Sequence, residues 1–469
     1  MELPYGLFLS LPSRIACIIA LQWLEPKHIG QLDSAYCNMV WRKQFASSIL
    51  QAPHFCLDVC PLDHHISVYL AWISKRSVAV KSLVVSDATE LAMAENYLAK
   101  FGEHISTITV QDLSDYRADI IQIYGIIAKH CCELTSLVCR NCLLTVEFIQ
   151  LLTTCKGLTE LRLRFCTEAP SCAITQLKTK SQLRLKVLAL GSGNNIVLGV
   201  LKLCDLSCIE RLVVGIESSS GMKKLKPLLA QCANLKSLGF FGSDPTYITD
   251  TVMMDIVSMC PHIVHLNIAG CDRLTDTSGT CIAQTLTHLR TLNMSYCRFS
   301  SATILALAEH CNNTLEGLYC MCAVDGTSLN VLIEQCTKLH TLSFDCYRFP
   351  ASLGTPALSN ITTLLLENAS ISEQIESVLH RCTHLQHLHL SFNAIEDIYY
   401  CPFDSLHISS SLYIHTVPDR KSTNVPELCE DLPSFVHFRE TQPHVKVRFL
   451  QHACPPRDTL AYDVLTLPL

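Results

Sequence analysis

Cys155-Lys-Gly-Leu158-Thr-Glu-Leu161-Arg-Leu163-Arg-Phe-Cys166 and Cys260-Pro-His-Ile263-Val-His-Leu266-Asn-Ile268-Ala-Gly-Cys271 carry one pattern twice. A cysteine is followed after two residues by an aliphatic, and after two more by a pair of aliphatics one residue apart. Partial copies run through Cys131, Leu134, Leu137, Cys139 and Cys142, through Cys232, Leu235, Leu238 and Phe240, through Cys336, Leu339, Leu342 and Phe344, and through Cys382, Leu385, Leu388, Leu390 and Asn393. The first apolar positions of the series are Val80, Ile105, Leu134, Leu158, Leu185, Ile209, Leu235, Ile263, Leu289, Leu315, Leu339, Ile361 and Leu385. Their spacings run from 22 to 29 residues, with a mean near 25. The last two apolar residues of each unit have the period of a strand with one face inward. Between the strands, Thr145 to Cys155, Asp250 to Cys260 and Ser372 to Cys382 open on N-cap residue types and carry apolar residues at helical spacing. No unit of this size can bury its own apolar face, so the units must stack.

Composition agrees with a long core. Of 469 residues, 49% are hydrophobic and 17% charged, and the roughly three domains that length alone implies give way to a repeat architecture. Lys and Arg number 36 against 42 Asp and Glu, a net charge of −6, which gives no reason to expect nucleic acid or an anionic membrane as partner. The longest near-continuous apolar stretch, Ile15 to Leu24, is too short for a bilayer span. Glu2, Pro12 and Arg14 interrupt any secretory leader. The 27 cysteines, an odd number, therefore read as reduced, buried, small hydrophobes of a cytoplasmic or nuclear protein.

The repeat resembles the cysteine-containing subfamily of leucine-rich repeats over residues of about 80 to 393, with Ile248-Thr-Asp250 and Leu274-Thr-Asp276 similar to that subfamily's corner motif. The resemblance implies a right-handed α/β solenoid, a horseshoe with parallel strands inside and helices outside. The units starting at Leu185, Ile209 and Leu289 depart from it by lacking the leading cysteine. Leu11, Pro12, Ile15, Ile19, Leu24, Pro26, Ile29, Leu32, Cys37 and Trp41 resemble an F-box, with one extra residue before Leu24 and Arg14 where an acidic residue is usual. This resemblance implies a small all-α F-box-like module over residues 1–52, then a connector or N-terminal cap over 53–79. Its adaptor contact would be Leu11, Pro12, Ile15, Ile19, Ile29 and Leu32. A helical cap that only shields the first repeat is the alternative for this segment.

The chain contains no nucleophile elbow, Walker loop, H-E-x-x-H or dinucleotide fingerprint. Cys139 and Cys142 form its only C-x-x-C, yet both fall in phase with the repeat, so packing is expected rather than zinc or redox chemistry. His384, His387 and His389 cluster, with His387 and His389 expected to face outward on a strand. No enzyme, metal or cofactor is expected. The outward strand positions carry Arg140, Glu160, Arg162, Arg164, Phe165 and Arg211 early, then Phe241, His265, Asn267, Tyr296, Tyr319, Asp345, His387, His389 and Phe392. Arginine and aromatic residues supply much interface energy, so this series is the candidate target-binding surface of a monomer.

Past Asn393 the register is lost. Residues 394 to 417 read as one degenerate capping unit, and the Pro- and His-rich remainder to 469 as a loosely ordered tail. By resemblance, the whole is the substrate-recognition subunit of an SCF-type cullin–RING ubiquitin ligase, with a target protein and the cullin adaptor as partners. A repeat scaffold unconnected to ubiquitin is the alternative.

Overall fold

A computed structural model of the chain describes residues 56–57, 66–86, 91–113, 117–169, 183–191, 194–215, 218–241, 247–322, 324–345, 358–367, 379, 382–392, 408–416, 435, 438–439, 441–442 and 445–450. The F-box-like segment, with Leu11, Pro12, Ile15, Ile19, Ile29 and Leu32, lies outside these residues, as does most of the helix expected from Ser372. The chain divides into two units, Met1–Ile209 and Glu210–Leu469. Among the described residues no helix is long and apolar enough to cross a membrane.

In the first unit, β1 (Cys56–Leu57) pairs in parallel with β2 (Ala79–Val80). A parallel ladder then runs through β3 (Ser82–Val85), β4 (Thr107–Leu113), β5 (Ser136–Leu144), β6 (Glu160–Arg164) and, past β7 (Thr167–Glu168), which pairs with the end of β5, to β8 (Val187–Gly191). Helices α1 (Ile66–Arg76), α2 (Leu91–Phe101), α3 (Arg117–His130), α4 (Val146–Thr154) and α5 (Asn194–Leu203) alternate with these strands.

The second unit repeats the scheme. Strands β9 (Arg211–Gly215), β10 (Ser237–Phe241), β11 (His265–Asn267), β12 (Thr291–Asn293), β13 (Gly317–Cys320), β14 (Thr341–Asp345), β15 (Thr363–Glu367) and β16 (His387–Phe392) pair in parallel. Helices α6 (Ser219–Leu229), α7 (Asp250–Met259), α8 (Asp276–Thr285), α9 (Ser301–His310) and α10 (Gly326–Gln335) lie between them, with neighbours from α7 to α10 packed side by side. Each unit is an open parallel sheet with helical crossovers, the solenoid class that the period predicts.

Register is set by a recurrent backbone clasp. Through most of the ladder the carbonyl just before a strand accepts two successive amides entering the next: Ser106 O takes Thr135 N and Ser136 N, both at 2.9 Å. In the second unit Glu210 O takes Lys236 N at 2.9 Å and Ser237 N at 3.0 Å. Lys236, Val264, Arg290, Glu316, His340 and Thr362 continue the series. With the strands so fixed, all three apolar positions of all thirteen repeats are at most 5% exposed, from Val80, Leu83 and Val85 to Leu385, Leu388 and Leu390. Each such aliphatic contributes about 1.5–3 kcal/mol by leaving water.

The turn into the strand is likewise made by backbone. Leu134 N donates to Cys131 O and Leu158 N to Cys155 O. Where leucine replaces the leading cysteine, Ile209 N still reaches Leu206 O and Leu289 N reaches Leu286 O, so those units keep their place. The thiols add ties to the preceding unit: Cys155 donates to Cys131 O (3.6 Å), Cys311 to Ala283 O (3.6 Å), Cys166 to Cys139 O (3.4 Å) and Cys322 to Met294 O (2.9 Å). Burial pushes Cys155 and Cys311 up to about 11 and Cys131, Cys336 and Cys382 to about 12. They are thiols at neutral pH and act as donors.

Two strands continue the ladder beyond the last regular unit. β17 (Ser411–Thr416) pairs with β16, and β18 (Lys446–Leu450) pairs with β17, both in parallel. The expected loose tail is thus corrected at residues 445–450, which close the ladder. The sequence hid this because 35 residues separate Ser411 from its partner Lys446, more than any earlier spacing.

The helix starts bring a second correction. Thr249, not Asp250, is the N-cap of α7, and Thr145 caps α4 without a side-chain bond. Asp250 instead reaches into the next repeat and accepts from Thr275 N (2.8 Å) and Thr275 Oγ1 (2.7 Å). Asp276 does the same one unit on, accepting from Ser300 N (2.9 Å), Ser300 Oγ (2.6 Å) and Thr303 Oγ1 (2.6 Å). Asp325 accepts from Ser301 Oγ and from Ser328 N. Burial works to raise the Asp250 and Asp276 carboxyls, but the hydrogen bonds outweigh it and hold both below the usual range. α8 and α9 come so close here that a Cβ on Gly279 would sit 2.1 Å from Thr303 Oγ1.

Two outcomes follow from this seam. Gly279→Ala must displace Thr303 from Asp276 and is expected to cost about 1–3 kcal/mol, read as a lower urea midpoint. Asp276→Asn is expected to cost a similar amount near neutral pH, roughly 1–3 kcal/mol. Because the folded carboxyl titrates below its unfolded value of about 3.9, its contribution is present above that pH and is lost as pH falls through the folded pKa. Urea midpoints of wild type and Asp276→Asn should therefore converge below about pH 4; a gap constant with pH would refute the assignment.

Candidate protein-interaction face

Parallel pairing places equivalent residues in rows about 4.8 Å apart. In the first unit one outward row reads Gln111, Arg140, Arg164, Gly191, and the row beside it reads Thr109, Val138, Arg162, Ala189. Arg140 is exposed, whereas Arg162 forms an ion pair with Glu160 on its own strand. The Arg164 guanidinium lies over the Phe165 ring, 5.1 Å from its centroid, a cation–π arrangement. Phe165 is 52% exposed.

Phe165 also has an unusual backbone. The residue two past the third apolar position turns left-handed in several repeats: Asp112 at φ 59°, Asn141 at 50° and Phe165 at 53° in the first unit, Gly270 at 78° and Tyr296 at 61° in the second. Aspartate, asparagine and glycine tolerate this region. A phenylalanine there stores roughly 1–3 kcal/mol of strain, and Phe165 is pinned in it by its amide donating to Gly191 O at 3.0 Å. The strain presents an aromatic ring to solvent beneath the Arg164 guanidinium.

In the second unit the row at the strand entrances is Arg211, Ser237, His265, Thr291, Gly317, Thr341, Thr363, His387, Ser411, Lys446. Arg211, His265 and His387 are half-buried in it. His265 Nδ1 meets Thr291 Oγ1 at 2.7 Å. Burial, then Arg211 and Arg290, push its pKa below the usual value, with Glu316 pulling the other way. His389, one row in, is lowered to about 4 by burial and by His387, so it is neutral at physiological pH.

Asn267 and Tyr319 correct the expectation that every alternate residue faces solvent. Asn267 is 1% and Tyr319 6% exposed. They sit in a row with Asn293 and Ser343, where side chains cover one another. Asn267 and Asn293 fold onto their own backbone, accepting from Ala269 N and Ser295 N, a local bond that asparagine favours. Burial raises Tyr319 to about 12. Tyr296 is half-buried. Phe241, Asp345 and Phe392 are strand residues whose side chains lie outside the described set.

The cysteine pair is a core feature. Cys139, Cys142 and Cys166 are buried around Tyr124, whose hydroxyl donates to Leu143 O and whose ring packs on Phe148. Cys142 donates to Val110 O at 3.3 Å. Among the described residues no group of three or more His, Cys, Asp or Glu is placed to hold a metal. The sequence reading passed over Glu210, Lys236, Arg290 and Glu316, which precede the strands and form ion pairs between neighbouring repeats, Lys236 with Glu210 at 3.7 Å and Arg290 with Glu316 at 3.5 Å.

A family model described as Leucine Rich repeat matches residues 260–283, 285–308 and 381–398. The chain is similar in structure to Rad7, solved in a complex with Elc1 from yeast, at 14% identity and TM-score 0.46, covering 86% of this chain and 90% of that one. It is similar to the internalin InlF of Listeria monocytogenes at 16% identity and TM-score 0.32, covering 87% and 94%. It is also similar to TLR13, solved in a complex with ssRNA13, at 14% identity and TM-score 0.39, covering 80% of this chain and 50% of that one. The stretches that the family model matches belong to the open, leucine-rich-repeat solenoid-like ladder of the second unit.

Proposed function

We propose that the chain is the target-recognition subunit of an SCF-type cullin–RING ubiquitin ligase. Its N-terminal Leu11–Leu32 segment would bind the adaptor, and the outward strand rows would hold the target. The observation that carries the recognition role is the strained, solvent-exposed Phe165 under Arg164 beside Arg140, because arginine and aromatic anchors are the residues from which interface energy is made. The ligase half of the reading rests on the F-box-like pattern of Leu11, Pro12, Ile15, Ile19, Ile29 and Leu32. On this reading the protein works in the cytoplasm or nucleus, uses no catalytic residue or cofactor of its own, and accelerates transfer by proximity. Holding a target lysine near charged ubiquitin raises its effective concentration.

Two variants separate the halves. Affinity capture should recover the adaptor with wild type and with a Phe165→Ala, Arg164→Glu variant, but not with Ile15→Asp, Ile29→Asp. Partners that gain ubiquitin in a wild-type-dependent way should fall at least about tenfold with the Phe165 variant, as loss of about 1.4 kcal/mol or more at a central anchor requires. Adaptor recovery equal in wild type and the Ile15 variant would leave a repeat scaffold without a ligase role.

A further inference from the structure

Within the second unit, the charged row before the strands runs Glu210, Lys236, Val264, Arg290, Glu316, each position adjacent to the next through the backbone clasp. Glu210 pairs with Lys236 and Arg290 with Glu316, so the series breaks at Val264 with a cation on either side. Behind the break lies a depression of about 380 Å³ lined by Glu210, Arg211, Lys236, Ser237, Val264, His265 and Arg290. Its inner wall is Arg211 and His265, two strands apart in one row. The Arg211 guanidinium has no hydrogen-bonded partner among the described residues. Lys236 and Arg290 each have one carboxylate, at long distance in partly solvated positions, and such pairs hold their cations weakly. His265 spends Nδ1 on Thr291, which leaves Nε2 for a ligand.

We propose that this depression receives an anionic side chain, a carboxylate or a phosphate, from an acidic segment of a protein partner. Arg211 would supply the paired donors that match a planar carboxylate or a phosphate face. Lys236 and Arg290 would close from the sides, and His265 would add a donor when protonated. Arginine and lysine offer only donors, and Arg211, Lys236 and Arg290 outnumber the single carboxylate of Glu210 in the lining, so the pocket's chemistry favours an anion. The row continues the outward face of the sheet, which makes a protein side chain the natural occupant; in this the inference rests on that face being a protein-binding surface. The groups around His265 are Arg211, Arg290, Lys236, Glu210 and Glu316. An anion among them offsets the two guanidinium groups that now disfavour the imidazolium, so binding should strengthen from neutral to mildly acidic pH.

The test uses the full-length chain with ring-labelled histidine, following the His265 resonance by NMR. The probes are inorganic phosphate, acetate, a Glu-rich peptide, and a peptide carrying phosphoserine among glutamates, with sodium chloride matching ionic strength. The expected result is a saturable shift with one or both peptides at lower concentration than with the free ions, and the better peptide identifies carboxylate or phosphate as the source. Arg211→Gln should weaken it at least about tenfold, the loss of one charge-assisted hydrogen bond, and Arg211→Lys should restore part of it. A response to free ions alone, an equal response in Arg211→Gln, or no saturable response overturns the proposal. The readout is local to His265 and independent of adaptor capture, so its failure is distinguishable from failure of the ligase reading.

Discussion

One carbonyl accepting two amides is the contact on which the rest of each unit depends. The peptide oxygen of Ser106, Thr135, Glu210, Lys236, Val264, Arg290 or Glu316 takes two successive N–H groups from the following repeat. That double acceptance fixes where a strand begins relative to its neighbour. Once the start is fixed, the period of two decides the rest: aliphatics fall inward on one another, and the residues between them align in rows. A side chain in such a row has a defined neighbour on each side, which is why lone charges become pairs, and a break in the pairing becomes a depression.

The ties along the helical side follow from the same register. A thiol, a threonine hydroxyl or an aspartate lies opposite its counterpart one unit away because the strands put it there. Cysteine suits the position as a small, nearly apolar donor that can be buried without leaving a strong acceptor unmet. Aspartate suits the helix start, where free amides and a neighbouring hydroxyl gather. None of these ties sets the turn itself: Leu206 and Leu286 make the same backbone turn with no thiol.

The repeats were legible because their signal is hydrophobic and periodic. The three apolar positions read from the spacing of Leu158, Leu161 and Leu163 are the buried positions of all thirteen units. Legibility failed where local chemistry or long connections intervene. Asp250 looks like a cap in the sequence and is a bond to the next repeat. Asn267 looks outward and is folded onto Ala269 N. Strand β18 follows an excursion too long for the period to bridge. Of the binding candidates, Arg140, Arg164 and Phe165 are brought together by β5, β6 and the corner after β6. The cations around Val264 escaped notice because their meaning lies in the absence of a charge at one step of a row, and a single strand cannot reveal that.

The left-handed corner that follows several of the strands sets two demands on a single residue. Flexibility of the backbone there favours glycine or asparagine, and four atoms of side chain would satisfy the fold. At position 165 the chain instead holds a ring that makes its own corner less comfortable. An engineer seeking only rigidity would replace it, and in doing so would remove an aromatic surface that the fold itself does not need: at this corner, toughness and exposure compete for the same residue.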